Sequence, residues 1–205
     1  MPNWCDNIAT ITHKDKTKID LICDSAEPGI LQALIPCPEE LLNPETGSFG
    51  GENAAEKDAL REALTKKYGY SGWYDWNVAN WGTKWDLCDV QVDRVDDNTV
   101  TLSFQTAWSP PIAAYERLHE EGFEIDAKYY EGGMQFAGTW YDGYDDCYSD
   151  WGDSKGAEAM LPRDLDEAFA ISENQAMWEE DEADEVQEWY EEGVEKKGLE
   201  PHETN

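Results

Sequence analysis

The chain has 205 residues and carries 46 Asp and Glu against 15 Lys and Arg, a formal net charge of -31. That balance repels nucleic acid and anionic membranes and draws basic surfaces, at a rate that falls as salt rises. A hydrophobic fraction of 40% with ten tryptophans excludes wholesale disorder, since disordered chains are poor in aromatics, and no run reaches the ~20 apolar residues of a membrane span.

The opening Met-Pro-Asn-Trp-Cys-Asp has neither a basic nor an apolar leader region, so no signal peptide and a cytoplasmic location are expected. From Asn7 to His13 apolar and polar residues alternate among β-branched types, which predicts a strand. Lys16 to Ala26 has Ile19, Leu21, Ile22 and Ala26 at helical spacing, stopped by Glu27-Pro28-Gly29. The short apolar run Gly29–Ile35 leads into Pro36 and Pro38, which allow an edge strand at most, then a helical turn. After a loop at 43–51, Asn53 to Tyr68 is a helix with Leu60, Ala63, Leu64 and Tyr68 on one face. The aromatic stretch from Trp73 to Asp86 fits neither period.

Val90–Val95 and Thr99–Phe104 alternate around Asp96-Asp97-Asn98 and predict a hairpin. Ser109 as N-cap with Pro110 next predicts a helix from about 110 to 120. Phe123–Tyr130 and Met134–Tyr141 form a second hairpin across Glu131-Gly132-Gly133. Residues 142–155, rich in Asp, Gly, Tyr and Ser, read as a loop. Asp164-Leu-Asp-Glu167 has the form of a capping box, opening a helix that runs to about Glu195 and allows one break. Mixed hairpins and helices predict an α+β sandwich with helices on one face of an antiparallel sheet.

The five cysteines, Cys5, Cys23, Cys37, Cys88 and Cys147, contain no C-x-x-C pair. They form neither a disulfide framework nor a zinc or iron–sulfur set. Reduced thiols, no metal and no cofactor are expected.

Five separated motifs carry a family resemblance: Asn3-Trp4-Cys5-x-Asn7-x-x-Thr10-Ile11, Ile35-Pro-Cys-Pro-Glu-Glu-Leu41, Asn80-Trp-Gly-Thr-Lys-Trp-Asp86, Phe104-x-Thr-Ala-Trp-Ser-Pro-Pro111 and Glu131-x-Gly-Met-Gln-Phe-Ala-Gly138. In this order they resemble the YubB ferredoxin-like family of phage and plasmid proteins, over about residues 1–141. The resemblance implies a ferredoxin-like α+β fold and a mobile-element origin, but no activity. The organisation expected is a ferredoxin-like domain at 1–141, with a helical and aromatic insertion at about 52–86, and an acidic loop and helical extension at 142–205.

The motifs concentrate Trp76, Trp81, Trp85 and Trp108 beside Asn80, Thr83, Lys84 and Thr106. Indoles there can stack on a base, a sugar or a proline while the polar groups orient it. Alternatively the tryptophans pack the insertion on the sheet and Lys84 pairs with Asp86. Nucleophilic catalysis lacks materials, because none of His13, His119 and His202 adjoins a Cys or Ser in a recognisable arrangement. A hydrolase built on a carboxylate pair is the minor enzymatic alternative. Asp142, Asp145, Asp146, Asp150 and Asp153 crowd one segment, but their spacing is not that of an EF-hand.

The C-terminal region carries the strongest signal. Between Asp164 and Glu195 lie fourteen acids in thirty-two residues, with no Lys or Arg. As one helix of ~48 Å this gives ~3.4 Å per charge, close to the phosphate spacing along one DNA strand. Val186, Trp189, Tyr190 and Val194 recur at helical spacing, an apolar stripe that wants a partner. The expected function is therefore a non-enzymatic, mobile-element accessory protein acting in the host cytoplasm. It would bind a basic, nucleic-acid-binding host protein through a DNA-like acidic surface at Glu179, Glu180, Asp181, Glu182, Asp184, Glu185, Glu188, Glu191 and Glu192, without touching nucleic acid or membrane. The alternative is a small-ligand or nucleotide-recognition domain using Trp76, Trp81, Lys84, Trp85 and Trp108.

Overall fold

The computed structural model describes residues 3–25, 29–42 and 54–197, the side chains of 188 and 190–197 excepted. The chain divides into two compact units, Met1–Cys147 and Tyr148–Asn205. The architecture is mixed α+β, built on a six-stranded antiparallel sheet whose strands lie in the order β2 (Cys88–Arg94), β3 (Thr99–Ala107), β1 (Trp4–Thr12), β4 (Glu124–Glu131), β5 (Phe136–Tyr141) and β6 (Tyr144–Ser149).

Alternation makes β1 (Trp4–Thr12): Cys5, Asn7, Ala9 and Ile11 are buried while the residues between them stay partly exposed. It lies between β3 (Thr99–Ala107) and β4 (Glu124–Glu131), antiparallel to both. The register sets Thr10 against Thr101 and Thr12 against Thr99, with hydroxyls 3.2 Å apart in each pair. β2 (Cys88–Arg94) completes the predicted hairpin with β3, bulged between Cys88 and Gln91, where Asp89 takes a φ of 48°.

The buried face of these strands shares one core with α1 (Lys16–Asp24), through Ile19 and Ile22, and with α5 (Ile112–Glu120), through Ala114, Tyr115 and Leu118. Asp15 opens α1 by accepting the Thr17 N–H at 3.0 Å. Ser109 does not cap α5: its hydroxyl donates to the Gly82 carbonyl at 2.8 Å, and the helix begins at Ile112 behind Pro111.

The run expected as an edge strand is helical, α2 (Ile30–Leu34), followed by a 3₁₀ turn at Glu39–Leu42. Its N-terminus is held by a distant group. The Asp86 carboxylate accepts the N–H groups of Leu31 at 3.0 Å and Gln32 at 2.8 Å, satisfying donors that a short helix leaves open. The helix α3 (Ala54–Tyr68) buries Leu64, and the aromatic stretch becomes α4 (Trp73–Trp81) with Gly82 as its left-handed C-cap.

Residues 144–149, expected within a loop, form β6 (Tyr144–Ser149) next to β5 (Phe136–Tyr141). Asp142 and Gly143 make the turn with φ of 49° and 84°, both left-handed as a type I′ hairpin requires.

In the second unit, α6 (Ser154–Met160) is capped by Asp153 through the Gly156 N–H at 2.8 Å. The predicted capping box is absent. Pro162 precedes α7 (Arg163–Phe169), and Glu167 instead accepts from Arg163 at 2.7 Å. Ala170 breaks the helix at a φ of 50°, and α8 (Ile171–Lys197) restarts where Asp166 accepts the Ser172 N–H at 2.7 Å. Trp151, Ala157, Leu161, Leu165 and Ile171 are buried. Among the described residues no helix is long and apolar enough to cross a membrane.

Candidate functional site

The sheet register brings three of the motifs together in the first unit. Trp4 stands opposite Ala107, and the Trp108 N–H continues the ladder by donating to the Asn3 carbonyl at 2.9 Å. Polar side chains then clamp the loop after α4 to the end of β3. The Thr83 hydroxyl donates to the Ala107 carbonyl at 3.2 Å and Ser109 to Gly82. Buried Asn7 donates to the Thr106 hydroxyl at 2.9 Å, and that hydroxyl donates to the Ser109 carbonyl at 2.8 Å. Gly82 is obligatory in this contact: at a φ of 81° it has the left-handed backbone, and a Cβ there would sit 3.0 Å from the Ile112 nitrogen.

The fourfold tryptophan set splits in two. Trp76 and Trp81 are buried, edge to face at 5.8 Å, and the Trp81 indole donates to the Ile35 carbonyl at 2.9 Å. They are core residues and offer no face to a ligand. Trp85 is half-buried and lies between Trp4 and Trp108, with centroids 6.2 Å from each. Trp4 is 37% and Trp108 43% exposed. Trp4 had not figured in the sequence-based set, because only the pairing of β1 with β3 sets it beside the other two.

Lys84 does not pair with Asp86. Its ammonium sits 4.4 Å from the Trp85 ring, 5.3 Å from Trp108 and 5.5 Å from Tyr74, a cation held on three aromatic faces. Asp86 is committed to the α2 terminus and to the Leu87 N–H at 2.8 Å; burial pushes its carboxyl pKa up, against those backbone hydrogen bonds. Trp108 also has a φ of 67°, a backbone state costly for a non-glycine residue.

Next to Trp108 lies a shallow groove of about 410 Å³, lined by Gly82, Trp108, Pro110, Tyr129, Phe136 and Asp145 among others. The Tyr129 hydroxyl donates to Asp145 at 2.7 Å, and burial with that carboxylate raises its pKa far beyond the usual tyrosine range. Three other acids of the segment expected as a loop have local contacts. Asp153 caps α6, Asp150 accepts from Ser149 at 3.1 Å, and Asp142 stands 3.7 Å from the His119 Nε2. Among the described residues no group of three or more His, Cys, Asp and Glu is arranged to hold a metal ion.

In the second unit, the first part of α8 is engaged. The Trp151 indole donates to Gln175 at 2.9 Å, and Glu179 accepts from the Ser154 N–H and hydroxyl, each at 2.7 Å. Glu179 is thus tied to Ser154, the first residue of α6. From Ala176 to Gln187 every residue is exposed, including Glu180, Asp181, Glu182, Asp184 and Glu185. Trp178 is 59%, Val186 66% and Trp189 77% exposed. The side chains of Glu188, Glu191 and Glu192 lie outside the described residues.

No protein-family model matches the chain, and no curated protein matches it. A solved structure of protein api92 from Yersinia pseudotuberculosis, a DUF1281 protein, aligns over 73% of this chain and 99% of that chain, at 11% identity and a TM-score of 0.39.

The division of the tryptophans is testable. Trp81→Phe keeps the ring packing but orphans the buried Ile35 carbonyl, and should destabilise the fold by about 1–3 kcal/mol in urea unfolding. Trp85→Phe, which breaks no hydrogen bond among the described residues, should cost well under half of that. Equal losses would contradict the assignment of Trp81 to the core.

Proposed function

We propose that this is a non-enzymatic binding protein that engages a basic protein through α8. The observation that carries the reading is the free stretch of that helix. At about 100° per residue, Glu180, Asp181, Asp184 and Glu185 fall within one arc of about 140°. Trp178 and Trp189 fall within about 20° of each other at the edge of that arc, about 16 Å apart along the axis, with exposed Glu182 on their far side. Among the described residues none of those four acids makes an ion pair, and both indoles are exposed. An acidic arc beside a row of indoles is the complement of a partner surface that is basic with an apolar centre, where Trp supplies anchoring energy and the charges supply steering.

The partner class follows from charge. With a net -31 and an acid density like that of a DNA strand, the favoured partner is a protein whose basic surface is built for nucleic acid. The chain would then act as a DNA mimic or anti-defence type inhibitor. The strand order β2-β3-β1-β4, with α1 before the β2-β3 hairpin and α5 after it, has the split βαβ arrangement of ferredoxin-like folds and supports that reading of residues 1–141. With the five motifs it supports membership of the YubB-like mobile-element proteins, and so a host protein as the partner and the host cytoplasm as its place of action.

The test is competition. Basic proteins captured from host lysate at low salt are challenged with duplex DNA and compared with a full-length variant carrying Glu180→Gln, Asp181→Asn, Asp184→Asn and Glu185→Gln. Displacement by DNA, release at high salt, and at least about tenfold weaker capture by the variant are expected. A partner that binds DNA and this protein simultaneously, or that holds the variant equally well, would overturn the mimicry.

A further inference from the structure

We infer that the groove beside Trp108 is a second, independent recognition site, for a proline-rich segment carrying Arg or Lys. Four features of the first unit point there.

Its exposed wall is an indole that stacks on Trp85 with Lys84 lying at both rings; its remaining surface borders a groove lined with Pro110, Tyr129 and Phe136. Shallow grooves walled by Trp, Tyr, Phe and Pro suit the flat rings of a polyproline II helix, which enters already ordered and loses little entropy. A longer aliphatic side chain gains little there, because the groove has no depth to enclose it.

The second feature is a free donor. The Trp108 indole N–H makes no hydrogen bond among the described residues, and Trp108 is 43% exposed. A proline-rich segment lacks most of its own N–H groups but projects its carbonyls outward, so it offers acceptors to such a donor.

Third, the charge in the groove is negative. Asp145 lines it, and one of its oxygens takes the Tyr129 hydroxyl, leaving the other for a cation. Together with the net -31, this favours Arg or Lys beside the prolines and disfavours a phosphate-bearing ligand, although indoles alone would accept a base. Lys84, the cation at these rings, is already held by three aromatic faces.

Fourth, Trp108 is held in its position against backbone preference. A φ of 67° in a tryptophan persists because the Asn3 carbonyl, the Trp85 stack and the Thr106–Ser109 bond all restrain the turn. The restraint presents the indole at the groove edge with its orientation set in advance, which lowers the entropy cost of binding.

The experiment uses the full chain and a fluorescent peptide of repeating Pro-Pro-Arg units, followed by anisotropy, with an Ala-Ala-Arg peptide of equal charge as the companion probe. The Pro-Pro-Arg peptide should bind, and the Ala-Ala-Arg peptide roughly tenfold or more weakly. Trp108→Ala should lose about tenfold or more of the affinity, and Asp145→Asn, an exposed substitution that spares the fold, should lose severalfold and flatten the salt dependence. The α8 charge variant should bind the peptide as the parent does, which separates this site from the reading of α8. Equal binding of the two peptides, no binding of either, retention in both Trp108→Ala and Asp145→Asn, or preference for an oligothymidylate would each overturn the assignment.

Discussion

Trp140→Ala should cost the protein about 3–5 kcal/mol, the upper range for emptying a core site. Trp140 sits in β5 with only 1% of its surface exposed, opposite Ala127 of β4. Its ring meets Tyr115 of α5 at 5.6 Å and His119 of the same helix at 5.7 Å. It is thus the large side chain that joins the outer half of the sheet to α5, and the small residue opposite it leaves nothing to fill the void. Domains of this size are stable by about 5–15 kcal/mol, so the loss removes a large fraction of the reserve. Urea unfolding of the variant, followed by far-ultraviolet circular dichroism, measures it. A loss under about 1 kcal/mol would mean that the indole is not packed as described.

Asp86→Ala is expected to destabilise by about 2–4 kcal/mol, since three N–H groups, those of Leu31, Gln32 and Leu87, lose a charged acceptor together. Asp86→Asn, retaining one acceptor oxygen, should cost less. The pH dependence adds a sign. Burial raises the folded-state pKa of Asp86 above its ordinary 3.8, so the native state binds the proton more tightly than the unfolded chain does. Its contribution to stability therefore falls as pH rises from the ordinary value through the raised one. Over that acidic window the wild type should gain on Asp86→Asn as pH is lowered. A gap that is constant with pH, or that moves the other way, would show that the carboxyl is not held above its ordinary pKa.

Much of the frame was legible because it is local. Alternation of buried and exposed positions marked β1 and both early hairpins, and helical spacing marked α1 and α3, to within a few residues of their ends. The strand β6 was legible in principle. Asp142-Gly143 is among the strongest short hairpin signals, but the density of Asp and Gly around it favoured a loop. The helix α2 was not legible, since its N-terminal donors are met by Asp86, 55 residues further on, and no local capping residue announces it. The box at Asp164 failed through competition: Arg163 takes Glu167, and Asp166 serves the next helix.

The candidate sites divide along the same line. By itself the sequence determined the charge, the base-free acidic stretch, its helical period and the gathering of tryptophans in motifs, because these are properties of composition and spacing. Only the tertiary structure decided which indoles are core and which are surface. Trp81 and Trp85 lie four positions apart in one motif, yet the first donates to the Ile35 carbonyl inside the core and the second lies between Trp4 and Trp108, stacked on the latter, outside it. Spacing cannot distinguish them, because burial is set by what packs from distant parts of the chain. In the same way the Ser154 contact that engages Glu179, while leaving Glu180 and its successors exposed, is made by folding α6 back on α8.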